Sequence, residues 1–403
     1  MHSTGGSVRH GPVVPARGRG VKIFILAGEP SGDRLGGALM AGLKTLQPDV
    51  RFEGIGGPDM AAQGLVSRFD MSELSVMGLA EILPKYRALK ARIRQTADAV
   101  LALQPDVMIT IDSPDFSLRV AKLVKEKSNI RTVHYVAPTV WAWRPGRAQK
   151  MARFIDHVLA LFPFEPPLMQ AAGMACDFVG HPVVAEPVAS EMDAKKFRAE
   201  LGIGDAPMLL VLPGSRRSEV ARLGTVFGEA VAKLMYQKPS LRVVIPAASA
   251  VVHDVIEVTK DWAFAPIILD PRDHLPDVAK AQKRAAFRAA DVALAASGTV
   301  SLELAASATP MVIAYRMHWL SFRIIRWMAL IDTVTLVNLV SDTRVVPEFL
   351  GPECTADQIA GGLAKVLANP DAQNAAMAVT MKRLGQGGEA PGLRAAKAVL
   401  ARL

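Results

Sequence analysis

Two acidic residues directly follow apolar runs in the first half of the chain, at positions that suit acid–base chemistry. Glu29 lies in the loop after Lys22–Ala27, and Asp112 follows Val107–Ile111. A carboxyl group that emerges from an apolar strand is partly desolvated, which raises its pKa and suits it to take a proton from an alcohol. We therefore predict Asp112 as a catalytic base and Glu29 as a carboxylate that binds substrate hydroxyls.

The loop that contains Glu29 continues through Ser31, Gly32 and Asp33 into an amphipathic segment. Small residues let a ligand approach the backbone, and a helix N-terminus offers N–H groups to an anion or a sugar hydroxyl. A competing explanation is a simple turn in which Ser31 or Asp33 caps the helix. By the same argument, Asp115 can cap a helix that begins near Phe116. The loop matches neither a Walker A motif nor Gly-x-Gly-x-x-Gly.

A second turn of this kind, Gly214-Ser215-Arg216, follows the apolar run Met208–Leu212 and opens another helical segment. Backbone N–H groups at a helix N-terminus and a guanidinium that can bind phosphate oxygens in pairs together predict a diphosphate site. Arg216 is the residue on which this prediction depends.

A third strand-to-helix junction carries Ser297, Gly298, Thr299 and Glu303. Its hydroxyls and N–H groups could hold a phosphate, and its carboxylate could bind a ribose diol. A capping box explains the same spacing without a ligand.

The segment His134–Arg144 contains two of the five tryptophans, Trp141 and Trp143, in a chain that is 6% aromatic. Such a loop could stack on a sugar or hold an acyl chain. Packing between domains is the alternative. His181, between Gly180 and Pro182, is a hinge candidate or a buried structural histidine.

An amphipathic segment precedes several cations, among them Lys85, Arg87 and Arg94. Its apolar residues are Val76, Met77, Leu79, Ile82 and Leu83. The pattern suits an anionic membrane surface, whereas a core-facing helix with solvated cations is the alternative. The segment His318–Leu330 has the same ambiguity.

Composition excludes several classes of protein. The 47 basic and 38 acidic residues give a net charge of +9, which favours anionic partners, but no basic and aromatic cluster indicates nucleic acid. Cys176 and Cys354 have no metal-ligand spacing and fit a reducing cytoplasm. No metal or other cofactor is predicted, and no apolar run is long enough to span a bilayer.

The elements that must hold these residues follow a β-α-β pattern typical of an α/β fold. The first series of predicted strands is Lys22–Ala27, Arg51–Ile55, Val107–Ile111, Thr132–Val136 and His157–Leu161, and the second is Met208–Leu212, Leu241–Ile245, Ile267–Leu269, Val292–Ala295 and Met311–Ala314. Continuous apolar runs predict parallel sheets that helices cover on both faces.

The polar stretch around Pro182–Glu200 separates the two series of strands. We predict a disordered extension over 1–20, a first Rossmann-like domain over 21–185, a second over 186–352, and C-terminal helices over 353–403 that pack back onto the first domain. Ligands of such folds bind beyond the carboxyl ends of the strands, here in the cleft between the domains.

Several of these motifs, in this order, resemble the lipid-A-disaccharide synthases, glycosyltransferase family 19. The residues that carry the resemblance are Leu26–Asp33, Ile111–Phe116, His134–Trp143, Leu212–Arg216, and Ser297–Thr299 with Glu303. The resemblance implies an inverting, metal-independent enzyme of GT-B architecture. It would join UDP-2,3-diacylglucosamine to 2,3-diacylglucosamine 1-phosphate, giving the β(1→6) disaccharide 1-phosphate and UDP.

The resemblance also implies roles for individual residues. Asp112 would be the catalytic carboxylate, the Glu29 loop would line the acceptor side, and Arg216 would bind the donor phosphates. Ser297, Thr299, Glu303 and Asn338 would bind the UDP moiety. The chain departs from the family pattern at Val337, where a proline is usual, and at Ala137, where a serine is usual.

The family's peripheral attachment to the cytoplasmic face of the inner membrane, and its dimerisation by C-terminal exchange, are further implications. An enzyme similar to UDP-N-acetylglucosamine 2-epimerase is the alternative function.

Overall fold

A computed structural model describes residues 20–74, 82–317 and 319–403 of the 403-residue chain. The chain forms two parallel six-stranded sheets with helices between successive strands, which confirms the predicted α/β class. The central strands are buried along their whole length, as in Val107–Ile111 and Met208–Leu212. Their continuous apolar sequences are therefore explained by helices that cover both faces of each sheet.

The first sheet has the strand order β2-β1-β3-β4-β5-β6, and the second has the order β12-β11-β10-β7-β8-β9. The strands of the first sheet are β1 Lys22–Ala27, β2 Arg51–Ile55, β3 Val107–Ile111, β4 Arg131–Tyr135, β5 His157–Ala160 and β6 Ala175–Phe178. Those of the second sheet are β7 Met208–Leu212, β8 Arg242–Pro246, β9 Ile267–Leu269, β10 Val292–Ala296, β11 Met311–Tyr315 and β12 Glu348–Leu350.

The helices lie between and after these strands. They are α1 Pro30–Leu46, α2 Pro58–Ala62, α3 Ile82–Leu103, α4 Pro114–Lys125, α5 Gly146–Met151, α6 Pro166–Ala171, α7 Glu191–Glu200, α8 Arg217–Gln237, α9 Val252–Thr259, α10 Pro276–Ala289, α11 Val300–Ala306, α12 Trp319–Met328, α13 Leu336–Ser341, α14 Ala356–Ala368, α15 Asp371–Arg383 and α16 Pro391–Leu400.

Two strands have no counterpart in the predicted series. Both β6 and β12 lie at sheet edges and are short and only partly buried. The half-exposed Asp177 interrupts the apolar pattern of β6, and Glu348 begins β12. An edge strand contacts the sheet on one side only, so its sequence need not be continuously apolar.

Each sheet reverses its strand order at one place, and the candidate residues follow the strands at that place. In the first sheet β1 pairs with β3, and Ala27 and Ile111, the last residues of these strands, lie side by side. In the second sheet β7 pairs with β10, and Leu212 lies beside Ala295. Such reversal points are where open α/β sheets bind ligands. The loops after these four strands therefore form the candidate site.

The C-terminal helices divide between the two sheets. Helix α14 packs against α8 and β11, whereas α16 packs against α1 of the first sheet. The contact is close because a Cβ on Gly392 would lie 2.5 Å from the Ala38 carbonyl oxygen. Arg402 adds an ion pair of 2.8 Å with Asp177. The return to the first sheet is thus made by α16, and the exact domain boundaries stay a prediction.

No helix in the described part of the chain combines the length and apolar character that crossing a bilayer requires.

Candidate functional site

Glu29 is the residue at which β1 gives way to α1. Its backbone is extended, with a φ of −146°, and the helix begins at Pro30. No side chain caps this helix, so the predicted caps by Ser31 or Asp33 are wrong. Ser31 is exposed in the first turn, and Gly32 is buried against Ala27 and Ile111. The Glu29 side chain lies beyond the end of the strand, where the chain covers it only in part.

Asp33 has a structural role that its sequence position does not reveal. Its carboxylate is 1% exposed and accepts hydrogen bonds from the backbone N–H groups of Gly57 at 2.7 Å, Asp59 at 2.8 Å and Met60 at 3.1 Å. These bonds hold the N-terminus of α2, where an anion is favoured. The structure therefore does not place the Asp33 side chain with the acceptor residues, because its oxygens are committed to the Gly57–Met60 backbone.

Asp112 and Ser113 connect β3 to α4 through an uncommon backbone conformation. Both have positive φ angles, 47° and 46°, and both are half-buried. Two successive non-glycine residues in this region store strain, which is typical of functional sites. Helix α4 begins at Pro114 and has no side-chain cap, so Asp115 is not the cap that we predicted.

The loops after β1 and β3 touch each other at Gly28 and Ser113. A Cβ on Gly28 would lie 2.4 Å from the Ser113 Oγ and 2.8 Å from its Cβ, which no side chain could tolerate without a shift. The absence of a side chain at Gly28 is therefore what lets the two loops meet. This contact holds Glu29 and Asp112 next to each other at the edge of the first sheet.

The electrostatics of Glu29 link the two sheets. Partial burial and the neighbouring Asp112 charge raise the pKa of the Glu29 carboxyl, whereas the Arg216 guanidinium and a hydrogen bond from the Ser113 hydroxyl act in the opposite direction. Arg216 follows β7 of the second sheet, so its charge reaches Glu29 from the other half of the chain. The Glu29 carboxyl group therefore lies within reach of charges that follow strands of both sheets.

The Gly214–Arg216 turn differs in one respect from the predicted diphosphate cradle. The Glu219 carboxylate, one turn into α8, accepts hydrogen bonds from the backbone N–H groups of Ser215 at 3.0 Å and Arg216 at 3.3 Å. The chain itself therefore satisfies these two donors. The Arg216 guanidinium is 71% exposed and stays open to a ligand.

The junction after β10 is open. Gly298 has a φ of +156° and no described atom within 4 Å of its potential Cβ, and Thr299 is exposed at the start of α11. No side-chain cap is formed there, so the capping-box alternative is wrong. Glu303 instead pairs with Lys283 at 2.7 Å. Ser297 is half-buried beside these residues.

Asn338 is the candidate that the structure separates most clearly from open ligand space. Its side chain is 1% exposed and donates hydrogen bonds to the Thr333 hydroxyl at 3.2 Å and the Val346 carbonyl at 3.0 Å. Its carbonyl oxygen accepts from the Val346 N–H at 3.0 Å. These bonds satisfy the amide within the chain, so the structure shows a structural role for Asn338, and its binding of UDP stays a prediction.

The two tryptophans of the β4–α5 loop have partners within the chain. The Trp141 indole donates to the buried Glu165 carboxylate at 3.2 Å, and its ring packs edge-on against Phe164 at 5.3 Å. Trp143 donates to Thr139 at 3.3 Å. Between them, the Ala142 carbonyl accepts from the Leu330 N–H at 3.0 Å, which connects this loop to the second half of the chain.

His134 and His181, the histidines of the motifs considered above, are not candidates for the base. The buried His134 bonds to the Thr110 hydroxyl at 2.7 Å, and burial lowers its pKa to about 4. Burial likewise lowers the pKa of His181 to about 4, and its Nδ1 accepts from the Val183 N–H at 3.2 Å. Both imidazoles are neutral and structural at pH 7.

A cavity of about 410 Å³ adjoins the Glu29 loop at Pro30. Its remaining lining residues are Gly56, Gly57, Pro58, Ser67, Phe69, Asp70, Met71 and Ser72. The sequence interpretation missed it, because Gly54–Gly57 reads as an ordinary turn and the 67–72 segment is mostly polar. The cavity is mainly apolar and lies on the side of the site where an acceptor was predicted.

Some predicted residues cannot be compared with the structure. Val76, Met77 and Leu79 lie outside the described residues, and only the backbone of Ile82 and Leu83, at the start of α3, is described. Across residues 20–74, 82–317 and 319–403, no three His, Cys, Asp or Glu side chains group as ligands for a metal ion.

Comparison with known proteins gives consistent matches along nearly the whole chain. The sequence model of the family described as "Lipid-A-disaccharide synthetase" matches residues 23–401. The lipid-A-disaccharide synthase of Ruegeria pomeroyi is 65% identical over 392 residues, covering 97% of this chain and 98% of that protein. The enzyme of the same name from Rhodospirillum centenum is 47% identical, with 94% of each covered.

Solved structures with the same architecture are more distant. UDP-GlcNAc 2-epimerase from Neisseria meningitidis, solved with UDP-GlcNAc bound, aligns with a TM-score of 0.59 and 12% identity over 95% of this chain and 98% of that one. MurG from Acinetobacter baumannii aligns with a TM-score of 0.56 and 13% identity over 95% and 100%. At this level of identity the likeness concerns the fold.

Proposed function

The chain belongs to the lipid-A-disaccharide synthase family, and from this premise we propose that it joins UDP-2,3-diacylglucosamine to 2,3-diacylglucosamine 1-phosphate. It is a hexosyltransferase of lipid A biosynthesis with the GT-B fold. The proposed products are the β(1→6)-linked tetraacyl disaccharide 1-phosphate and UDP. The observation that carries the proposal is the position of Glu29, whose carboxyl group responds to both Asp112 and Arg216.

The acceptor reacts beside the first sheet. Asp112 takes the proton of the acceptor 6-hydroxyl as that oxygen bonds to the anomeric carbon of the donor from the face opposite UDP. Glu29 binds the acceptor hydroxyls and orients the attacking oxygen. General-base help of this kind contributes about 100- to 10,000-fold in rate. Direct displacement inverts the anomeric configuration, which accounts for a β-linked product.

The donor binds beside the second sheet. As the new bond forms, the bond between the anomeric carbon and the UDP oxygen breaks, and the diphosphate takes up the negative charge. The Arg216 guanidinium stabilises that charge, because a fork of N–H donors matches phosphate oxygens. Ser297, Gly298 and Thr299 at the open end of β10 complete the proposed UDP-binding edge, with Glu303 near the ribose.

The acyl chains of the acceptor need an apolar surface, and the cavity beside Pro30 is the proposed place where they bind. Pro30, which follows Glu29 in the chain, lines the cavity together with Phe69 and Met71, and the lining is mainly apolar. Trp141 and Trp143 are the other proposed contacts to acyl chains.

We further propose that the enzyme works at the cytoplasmic face of the inner membrane, where its lipid substrates lie. Exposed cations on α3, among them Arg87, Lys90 and Arg94, support attraction to anionic headgroups. On α12 the Trp327 side chain is 86% exposed and lies beside Arg323 and Arg326. Flotation with phosphatidylglycerol vesicles tests this proposal, and Trp327→Ser should reduce the bound fraction. Equal binding to neutral and anionic vesicles would contradict it.

Dimerisation through the C-terminal helices also stays a proposal. Because α16 packs on α1 at the end of the chain, its exchange between two copies would preserve the same contacts. The molar mass measured by light scattering after size-exclusion chromatography distinguishes a monomer from a dimer.

A 2-epimerase activity is the alternative, and only the distant likeness in fold supports it. Such an enzyme would change the configuration at C2 of a UDP-sugar without an acceptor. The purified chain should be incubated with both lipid substrates in EDTA, and the products identified by mass spectrometry. We expect one UDP for each disaccharide 1-phosphate. Epimerised UDP-sugar, or no coupling unless a divalent metal is added, would contradict the proposal.

A further inference from the structure

The Glu219 side chain forms a compact network with the Gly214–Arg216 turn. One carboxylate oxygen, Oε2, accepts hydrogen bonds from the N–H groups of Ser215 at 3.0 Å and Arg216 at 3.3 Å. The other oxygen, Oε1, pairs with Nη1 of the Arg216 guanidinium at 3.4 Å. A single side chain therefore fixes both the backbone of the turn and the arginine that the turn carries.

This arrangement is built into the turn. Gly214 has a φ of +118°, and a Cβ at this position would lie 2.5 Å from both the Cβ and the Oε2 of Glu219. Any other residue would push the carboxylate away. The Glu219 side chain is only 12% exposed, whereas Arg216 is 71% exposed. The Glu219 carboxylate is thus held inside the turn, and the Arg216 guanidinium projects from it.

We propose that Glu219 is a positioning residue for donor binding, which acts by orienting the Arg216 guanidinium. The guanidinium has five N–H donors, and the contact with Glu219 uses one edge of it. The remaining donors face outward, and these bind the diphosphate. The amides of Ser215 and Arg216 stay bonded to Glu219 and do not contact the phosphates. This inference rests on the proposed donor role of Arg216.

Two other functions of Glu219 make different predictions. An acid that competes with the diphosphate for the same donors would weaken UDP binding, so its removal would tighten it. An acid that only stabilises the fold would affect UDP binding equally whether or not Arg216 is present. A positioning residue loses its effect when the group that it positions is absent.

A double-mutant cycle distinguishes these cases. UDP binding to the full chain is measured by calorimetry for the wild type, Glu219→Ala, Arg216→Ala and the double variant. A hydrogen bond to a charged group contributes about 1.5–3 kcal/mol, so the loss of one well-placed bond from Arg216 to the diphosphate should weaken UDP binding about tenfold in Glu219→Ala. In the Arg216→Ala background we expect no further loss. Glu229→Ala, on the exposed side of α8, is the matched control and should bind UDP as the wild type does.

Glu219→Gln is the second variant if Glu219→Ala does not fold. Glutamine keeps an oxygen that can accept from the two amides but loses the charge that holds Arg216, so we expect a normal melting temperature with weakened UDP binding. Unchanged or tighter UDP binding in both variants would overturn the inference, as would equal losses in the two backgrounds. If Arg216→Ala itself binds UDP normally, the proposed donor role fails, and this inference fails with it.

Discussion

The guanidinium of Arg216 acts electrostatically on the carboxyl group of Glu29, although the two residues follow strands of different sheets. The negative charge of Asp112, which follows the neighbouring strand, also raises the pKa of the Glu29 carboxyl group. The pKa of this one carboxyl group therefore depends on charges from both sides of the candidate site. The arrangement suits a reaction in which an alcohol is deprotonated on one side and a diphosphate is released on the other.

Replacing Arg216 should weaken both UDP binding and turnover. A hydrogen bond to a charged group contributes about 1.5–3 kcal/mol, so Arg216→Ala should bind UDP about 10- to 150-fold more weakly. Calorimetry with UDP and a transfer assay measure the two effects. Arg217→Ala is the matched control, since Arg217 is the adjacent cation but pairs with Asp254 at 3.5 Å. Equal UDP affinity in the wild type and Arg216→Ala would remove Arg216 from the donor site.

The contact between Gly28 and Ser113 should matter more for activity than for stability. A methyl group at Gly28 would collide with Ser113 and separate the two loops, and misplacement by about 1 Å can cost up to about 100-fold in rate. Gly28→Ala should therefore lose at least tenfold in kcat (about 1.4 kcal/mol). Adding Ser113→Gly removes the clash, and the positive φ at 113 suits glycine, so the double variant should regain activity.

Gly146→Ala is the control for that prediction, because no described atom lies within 4 Å of its potential Cβ. A Gly28→Ala enzyme with normal kcat would show that the loops need not touch.

Much of the fold could be predicted because its signal is local. Several buried strands of the two sheet centres are continuous apolar runs, as in Val107–Ile111 and Met208–Leu212, and such runs are visible without knowledge of their partners. The edge strand Glu348–Leu350 has no such signal, because its pairing with β11 depends on residues far away in the chain.

The site was less predictable, because residue type does not reveal where a side chain points. Asp33 and Asn338 suited ligand binding by type and motif, yet both are buried and bonded to the chain itself. Conversely, the sequence assigned no role to Glu219 or Glu165. Their roles depend on contacts with Gly214 and Trp141, which only the folded chain brings together.

Glu165 should make stability depend on pH. Burial raises its pKa from the ordinary 4.5 to about 7, so the folded chain holds this proton to higher pH than the unfolded chain. The free energy of unfolding should fall by about 3 kcal/mol as the pH rises from 4.5 to 7, and then stay level. Glu165→Gln should remove this dependence.

Urea denaturation at about pH 3.5 and about pH 8, one pH unit to either side of this window, measures the effect. Exposed Glu229→Gln is the control and should keep the wild-type dependence. An identical pH dependence in the wild type and Glu165→Gln would contradict the assignment.

The packing of α16 against α1 should be disrupted by the addition of one methyl group. In Gly392→Ala the new Cβ would press against the Ala38 carbonyl, and overpacking of this kind typically costs about 1–3 kcal/mol. Gly361→Ala, in α14, meets no described atom and should instead stabilise the chain by up to about 1 kcal/mol. Opposite shifts in melting temperature are expected, and a neutral Gly392→Ala would show that the helices are not in close contact.

The central claim is that Asp112 acts on the acceptor while Arg216 binds the donor diphosphate. The most direct test is Asp112→Ala, with UDP binding and sugar transfer measured on the same preparation. Because Asp112 is proposed to act only on the acceptor, we expect UDP to bind as it does to the wild type while transfer falls at least about 100-fold. Asp115→Ala, exposed in the next helix, should transfer normally. Near-normal transfer by Asp112→Ala, or a loss of transfer fully explained by weaker UDP binding, would contradict the account.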